Sequence, residues 1–166
     1  MAGGSLDRVR LLKLMYLCER AALDRWGSSI TGDQPYSMKW GPVLSNTYDL
    51  MKAASPSASG LGCRWMQHMA SDSYYVNLIQ LPPITLSAAD ADLAREIYNA
   101  YGDHDPWELS ELTHRFPEWR NPGPSSRPIS LDDILRALGK GDEEREEILS
   151  LQRTDSLLAA YSRNAG

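Results

Sequence analysis

Two cysteines, Cys18 and Cys63, leave no material for a disulfide framework, and no Cys-x-x-Cys pair is present to hold a structural metal. No apolar run approaches the about 20 residues that a membrane-spanning helix needs. The nucleotide-binding glycine loops and the Gly-x-Ser-x-Gly nucleophile elbow are also missing. Positive charge is in short supply. A net charge of -5 and a pI near 5.2 argue against nucleic acid as a partner, because affinity for phosphate backbones rests largely on lysine and arginine. The three histidines, His68, His104 and His114, fall in no metal or catalytic spacing. A zinc site would need one or two of them to converge in space with Cys18 and Cys63, and ordinary structural roles are the simpler reading. No metal, cofactor or catalytic residue is therefore expected. The N-terminal stretch MAGGSLDRVRLLKLMYLCERAAL has charges inside its apolar run and no cleavage-like site, which predicts a cytoplasmic protein with no membrane partner.

What is present is the composition of a soluble globular chain, 42% hydrophobic and 23% charged, at a length suited to one domain over residues 1–166. From Leu6 to Trp26 apolar residues recur at three- and four-residue steps, predicting a long helix with a wide buried face that Gly27 stops. Thr31 to Pro35 is turn chemistry, and Tyr36 to Trp40 is a short extended run. Gly41-Pro42 is expected to open the next helix, with Pro42 at the first helical position and Val43, Leu44, Thr47, Tyr48, Leu50 and Met51 on its apolar face. After a loop from Ala54 to Gly60, Cys63 to Met69 and Tyr74 to Gln80 read as two strands of a β-hairpin, ended by Pro82-Pro83.

The second half is punctuated by capping signals. Ser87, Asp105 and Ser130 each stand before an apolar-periodic segment with an acidic residue three positions on, and Asp105-Pro106-Trp107-Glu108 combines an N-cap, an N1 proline and an N3 carboxylate. Gly139-Lys140-Gly141 breaks the chain, and a helical extension is expected over about 142–162. The fold class is thus α+β, mainly α: a compact helical domain with a small β-hairpin packed against the helices. The cations of the first helix are spread around an apolar helix, which disfavours a DNA-recognition role. The acidic run Asp142 to Glu147 is best read as a solvated helix face. Five tryptophans, Trp26, Trp40, Trp65, Trp107 and Trp119, sit at element junctions, where an indole either locks two elements together or anchors a partner.

The order of these motifs is informative. LLKLMYLCERAAL, ITGDQPYSMKWGPVLSNTYDLM, the aromatic hairpin, LSAADADLAREIYNAYGDHDPWELSELTHRFPEWRNPG and SSRPISLDDILRALGK together resemble the Panacea domain, the SocA-like antitoxin family of type II toxin-antitoxin systems, from about Leu11 to Lys140. Gly41-Pro42-Val43 with Tyr48, the helix start Trp107-Glu108-Leu109, and Thr113-His114 with Glu118-Trp119 carry the resemblance most specifically. Many relatives have His-Gly-Pro where this chain has Trp40-Gly41-Pro42, so any role of that histidine is lost here. The resemblance implies a bacterial or phage antitoxin that binds and neutralises a cognate toxin without being an enzyme. Two alternatives are a proteolytic adaptor, with a protease as second partner and the segment Thr154 to Gly166 as its exposed element, and an enzyme using His68 or His114 to reverse the toxin's modification.

Interface hot spots are enriched in Trp, Tyr and Arg, and partner contacts concentrate on loops held by rigid scaffolds. The segment THRFPEWR therefore points to Arg115, Phe116, Trp119 and Arg120 as toxin-facing, with Trp40 and Tyr48 in support. A competing role for Phe116 and Trp119 is to pin this loop to the core.

Overall fold

The computed structural model describes residues 4–52, 61–83 and 86–164. In chain order the elements are β1 (Ser5–Asp7), α1 (Arg8–Trp26), β2 (Pro35–Met38), β3 (Gly41–Leu44), α2 (Ser45–Lys52), α3 (Leu61–His68), β4 (Met69–Ser71), β5 (Tyr75–Leu78), α4 (Ala88–Tyr101), α5 (Pro106–His114), β6 (Arg127–Pro128), α6 (Leu131–Ala137) and α7 (Asp142–Asn164). Among the described residues this is a mainly helical α+β fold with two small antiparallel sheets, ordered β1-β5-β4 and β3-β2-β6.

The spine is α1. The Asp7 carboxylate accepts the Arg10 N–H at its start, and Gly27 closes it at φ 64°, the left-handed conformation that glycine adopts without strain. A Cβ on Gly27 would lie 2.8 Å from the Ile148 side chain, so the stop residue also admits α7. The wide apolar face is used on three sides. Leu14, Leu17 and Ala22 meet Leu93 and Ile97 of α4 and Leu109 of α5. Leu23 meets Ile129, α6 and Ile148 of α7, while Leu12 meets Val43, Met51 of α2 and Val76 of β5. Each such fully buried aliphatic side chain contributes about 1.5–3 kcal/mol of transfer free energy.

The predicted caps at Ser87, Asp105 and Ser130 are present, each side chain accepting a first-turn N–H. The break at Gly139 to Gly141 is present too, and the segment after it runs as one helix, α7, from Asp142 to Asn164. Three sequence expectations are corrected. Gly41-Pro42 opens not a helix but β3, whose four residues are all buried against the helices. Because β3 is an edge strand, a proline without an N–H is tolerated there, and burial of consecutive residues on both faces mimics helical spacing. The following helix begins at Ser45 and is capped from a distance: Asp33 accepts the N–H groups of Asn46 and Thr47 at 2.9 Å each. Cys63 to His68 is helical in α3, not a strand. Arg64, Met66 and Gln67 are good helix formers, and Trp65 and Met69, one turn apart, pack on the cluster around Leu12. The hairpin partner of β5 is thereby shortened to Met69–Ser71, and β5 gains a second neighbour in β1, where Leu6 pairs with Val76 instead of starting the helix. The expected loop at Ala54 to Gly60 lies outside the described residues.

Candidate partner-binding face

The Gly-Pro motif is a junction of three elements. Lys39 and Trp40 form the two-residue turn of the β2–β3 hairpin, with Met38 opposite Gly41. Gly41 has φ 96°, and a Cβ there would lie 2.6 Å from Thr113 Oγ1 and 2.8 Å from Lys13 Nζ. Only glycine allows the hairpin to approach α1 and α5 this closely. The Pro42 carbonyl then accepts a hydrogen bond from the Lys13 amine at 2.8 Å. Lys13 is 1% exposed, and burial pushes its ammonium group down to about 7.

The capping box at Asp105 and Glu108, with Pro106 inside it, fixes the start of α5 and projects Trp107 outward. Trp107 is 58% exposed and Trp40 is 50% exposed, and their ring centroids lie 5.3 Å apart in a tilted pair. The Lys39 ammonium stands 4.7 Å over the Trp40 ring. Beside this pair opens a cavity of about 300 Å³ whose lining includes Val9, Leu12, Lys13, Met38, Trp40, Val43 and Tyr48, with the loop Gly123 to Ser125 on its margin. A second cavity of about 300 Å³ shares Met38, Val43 and Tyr48 and adds Asp49 and Lys52, which form an ion pair at 3.1 Å.

Of the residues that the sequence singled out, Trp40 and Tyr48 are thus brought together at one cavity. The segment after α5 is arranged differently. Phe116 packs on the α1–α4–α5 core, 6.3 Å from the Tyr16 ring and under the Arg20 guanidinium at 4.2 Å. Trp119 stacks on His114 at 4.1 Å and donates its indole N–H to the Met38 carbonyl at 3.0 Å. Arg115 and Arg120 are exposed, and the Arg120 backbone N–H reaches Ser37 Oγ. His114 keeps a buried Nε2 without a partner. Burial first, then the charge of Lys13, lowers the basicity of its imidazole, and a hydrogen bond with the Lys39 backbone acts in the opposite direction.

Buried Glu118 holds this segment to α1: its Oε1 accepts from Tyr16 at 3.0 Å and from Arg20 at 2.8 Å. Hydrogen bonding and charge at Glu118 add to burial in pushing the Tyr16 phenol well above its usual range. Sequence reasoning singled out Glu118 as part of a motif but missed its burial and its tie to α1, and it missed the burial of Lys13 and the exposure of Trp107. Lys13 had a partial signal: it lies three and four positions before buried Tyr16 and Leu17, beside the apolar face of α1, which does not by itself decide whether another segment covers it. The pairing of Trp40 with Trp107 had none.

Among the described residues no group of His, Cys, Asp and Glu side chains is placed to hold a metal ion, and no helix is long and apolar enough to cross a membrane. No curated protein and no solved structure matches this chain. The family model for the SocA-like antitoxin Panacea domain does, over residues 11–120, from the first turn of α1 through the Trp119 segment, leaving α6 and α7 outside the match. With more than half of its length covered, including the Gly-Pro junction and the capping box, the chain belongs to the SocA-like antitoxin family and carries its Panacea domain.

Proposed function

We propose that the protein binds a cognate toxin directly and neutralises it by occlusion, through a face centred on Trp40, Trp107 and Tyr48, with Arg115 and Arg120 contributing from the adjoining segment. The observation that carries this reading is the Trp40–Trp107 pair, two half-exposed indoles held by a tight turn and a capped helix. Rigid exposed aromatics are the residue type that dominates protein interfaces. Phe116 and Trp119 support the face by fastening its underlying loop to the core and to Met38.

Co-expression with the product of the adjacent gene tests the proposal. That product is expected to arrest growth alone and to be neutralised by this protein near a one-to-one ratio. Replacing Trp40 and Trp107 together by Ala should weaken the complex by about 2 kcal/mol or more with an unchanged melting temperature. A harmless neighbour, or arrest that persists beside stably expressed protein, overturns the reading. Rescue that is unchanged in protease-deficient cells distinguishes occlusion from delivery to a protease, and the ratio needed for rescue distinguishes it from enzymatic reversal through His114.

A further inference from the structure

The amine of Lys13 is the anomaly of this face. It is buried, it is donated to one acceptor, the Pro42 carbonyl, and no carboxylate lies within ion-pair distance of it among the described residues. A buried ammonium without a counter-charge costs several kcal/mol. An apolar side chain of similar length would fill the same place on α1 without that cost. The amine lies against Gly41, and Lys13 and Gly41 both line the cavity of about 300 Å³ beside Trp40. The other walls are mostly apolar or aromatic, Leu12, Val43, Trp40 and Tyr48 among them, with Ser125 as a neutral polar side chain, and the additional charge on the lining is a second cation, Lys39. In a chain of net charge -5, this is a cavity with two lysines and no acid.

We infer that this cavity is a binding site for a carboxylate borne on an apolar or aromatic group, with the Lys13 amine as its counter-ion and the Trp40 and Tyr48 rings against its apolar part. Apolar walls with one or two placed polar groups are the usual chemistry of a small-ligand site, and the volume suits a group of about one aromatic ring and an acid. A lysine amine has three donors, so it can keep the Pro42 carbonyl and still pair with a carboxylate. The charge-assisted bond gains strength from the buried setting. Ion pairing favours the protonated amine, reversing the effect of burial. The ionisable side chains that share Gly41 or the cavity lining with the amine are His114 of α5, Lys39 of the hairpin turn and Tyr48 of α2, and none of them is a carboxylate.

The test uses the full chain and phenylacetate, with phenylacetamide as its uncharged counterpart. Phenylacetate is expected to quench the tryptophan fluorescence saturably, to bind at least tenfold more tightly than the amide, and to raise the titration midpoint of Lys13 followed by lysine Cε resonances. Lys13→Met, with its melting temperature recorded, should bind phenylacetate at least tenfold more weakly and lose the preference over the amide. Equal binding of acid and amide, no binding of phenylacetate, or a Lys13 midpoint that stays in place at saturation each overturn the inference. The last measurement is made on the unmodified protein and needs no variant to fold. The source of the natural carboxylate is read by competition in the complex with the adjacent gene product. Displacement by phenylacetate assigns it to an acidic side chain of that partner, and retention assigns it to a free small molecule. Because binding is measured on the isolated chain, its failure leaves the toxin reading standing, and a harmless neighbour leaves the cavity result standing.

Discussion

Gly41 and Lys13 show what single residues decide here. At Gly41 a positive φ coincides with a side chain from α1 and another from α5, both closer than any real Cβ would tolerate. Gly41→Ala is therefore expected to cost about 3 kcal/mol in urea unfolding, strain and overpacking acting together. Gly123 has φ 65° with open space around it, and Gly123→Ala should cost only about 1 kcal/mol. Lys13 makes a prediction in pH. Its amine falls from 10.5 in the unfolded chain to about 7 in the folded one, so between those values the unfolded state binds the extra proton and stability rises with pH. From pH 7 to 9 the gain should be about 2 kcal/mol, measured as unfolding free energy, and Lys13→Met should abolish that slope. Above pH 9 the half-buried Cys18 thiol, raised to about 11 by burial and then by Glu19, acts in the opposite sense.

At the scale of elements, stops and starts are set by neighbouring residues, except where a cap comes from elsewhere. Ser87, Asp105 and Ser130 cap helices whose first turns follow directly, and all three are visible in the sequence as a short polar residue before an acidic third position. The α2 cap is Asp33, far back in the turn before β2, with one carboxylate oxygen on Asn46 and the other on the N–H and hydroxyl of Thr47. Asp33→Ala should remove about 1–2 kcal/mol by exposing two first-turn N–H groups at once. Helical circular dichroism should fall by no more than the short α2 accounts for, because no other helix uses this carboxylate. Adding a serine cap at the expected helix start near Gly41 would do nothing for α2, since that stretch is a strand.

For the molecule as a whole, α1 is the central element, packed against α2, α4, α5, α6, β1 and β3, and Glu118 is its main polar tie to the segment after α5. Tyr16 and Arg20 both spend hydrogen bonds on one buried carboxylate oxygen. Removing one partner of such a cluster leaves the others unpaired in the interior, so Glu118→Ala should cost about 3 kcal/mol in unfolding free energy. The same change should loosen Trp119 from Met38 and weaken partner binding without altering any residue of the exposed face. An affinity unchanged in Glu118→Ala below its melting transition would show that the segment from Arg115 to Arg120 takes no part in recognition.

The sequence by itself determined part of the helical framework: the left-handed stop of α1 at Gly27, the capped starts of α4, α5 and α6, and the break before α7. These are readable because a cap and the N–H it serves lie within three residues, and because an apolar stripe on a helix repeats within one turn. The family too was legible, since its motifs are local. Only the tertiary structure decided that Gly41 to Leu44 is an edge strand, that Cys63 to His68 is helical, that Lys13 is buried, and that Trp40 meets Trp107. A short apolar run has no state of its own until it is known which strand pairs with it and which helices cover it. A lysine on the border of an apolar stripe is buried or solvated according to whether another chain segment, here the Gly41 turn, closes over it. The exposed aromatic pair joins a hairpin turn to a distant helix start, and no spacing along the chain encodes that meeting.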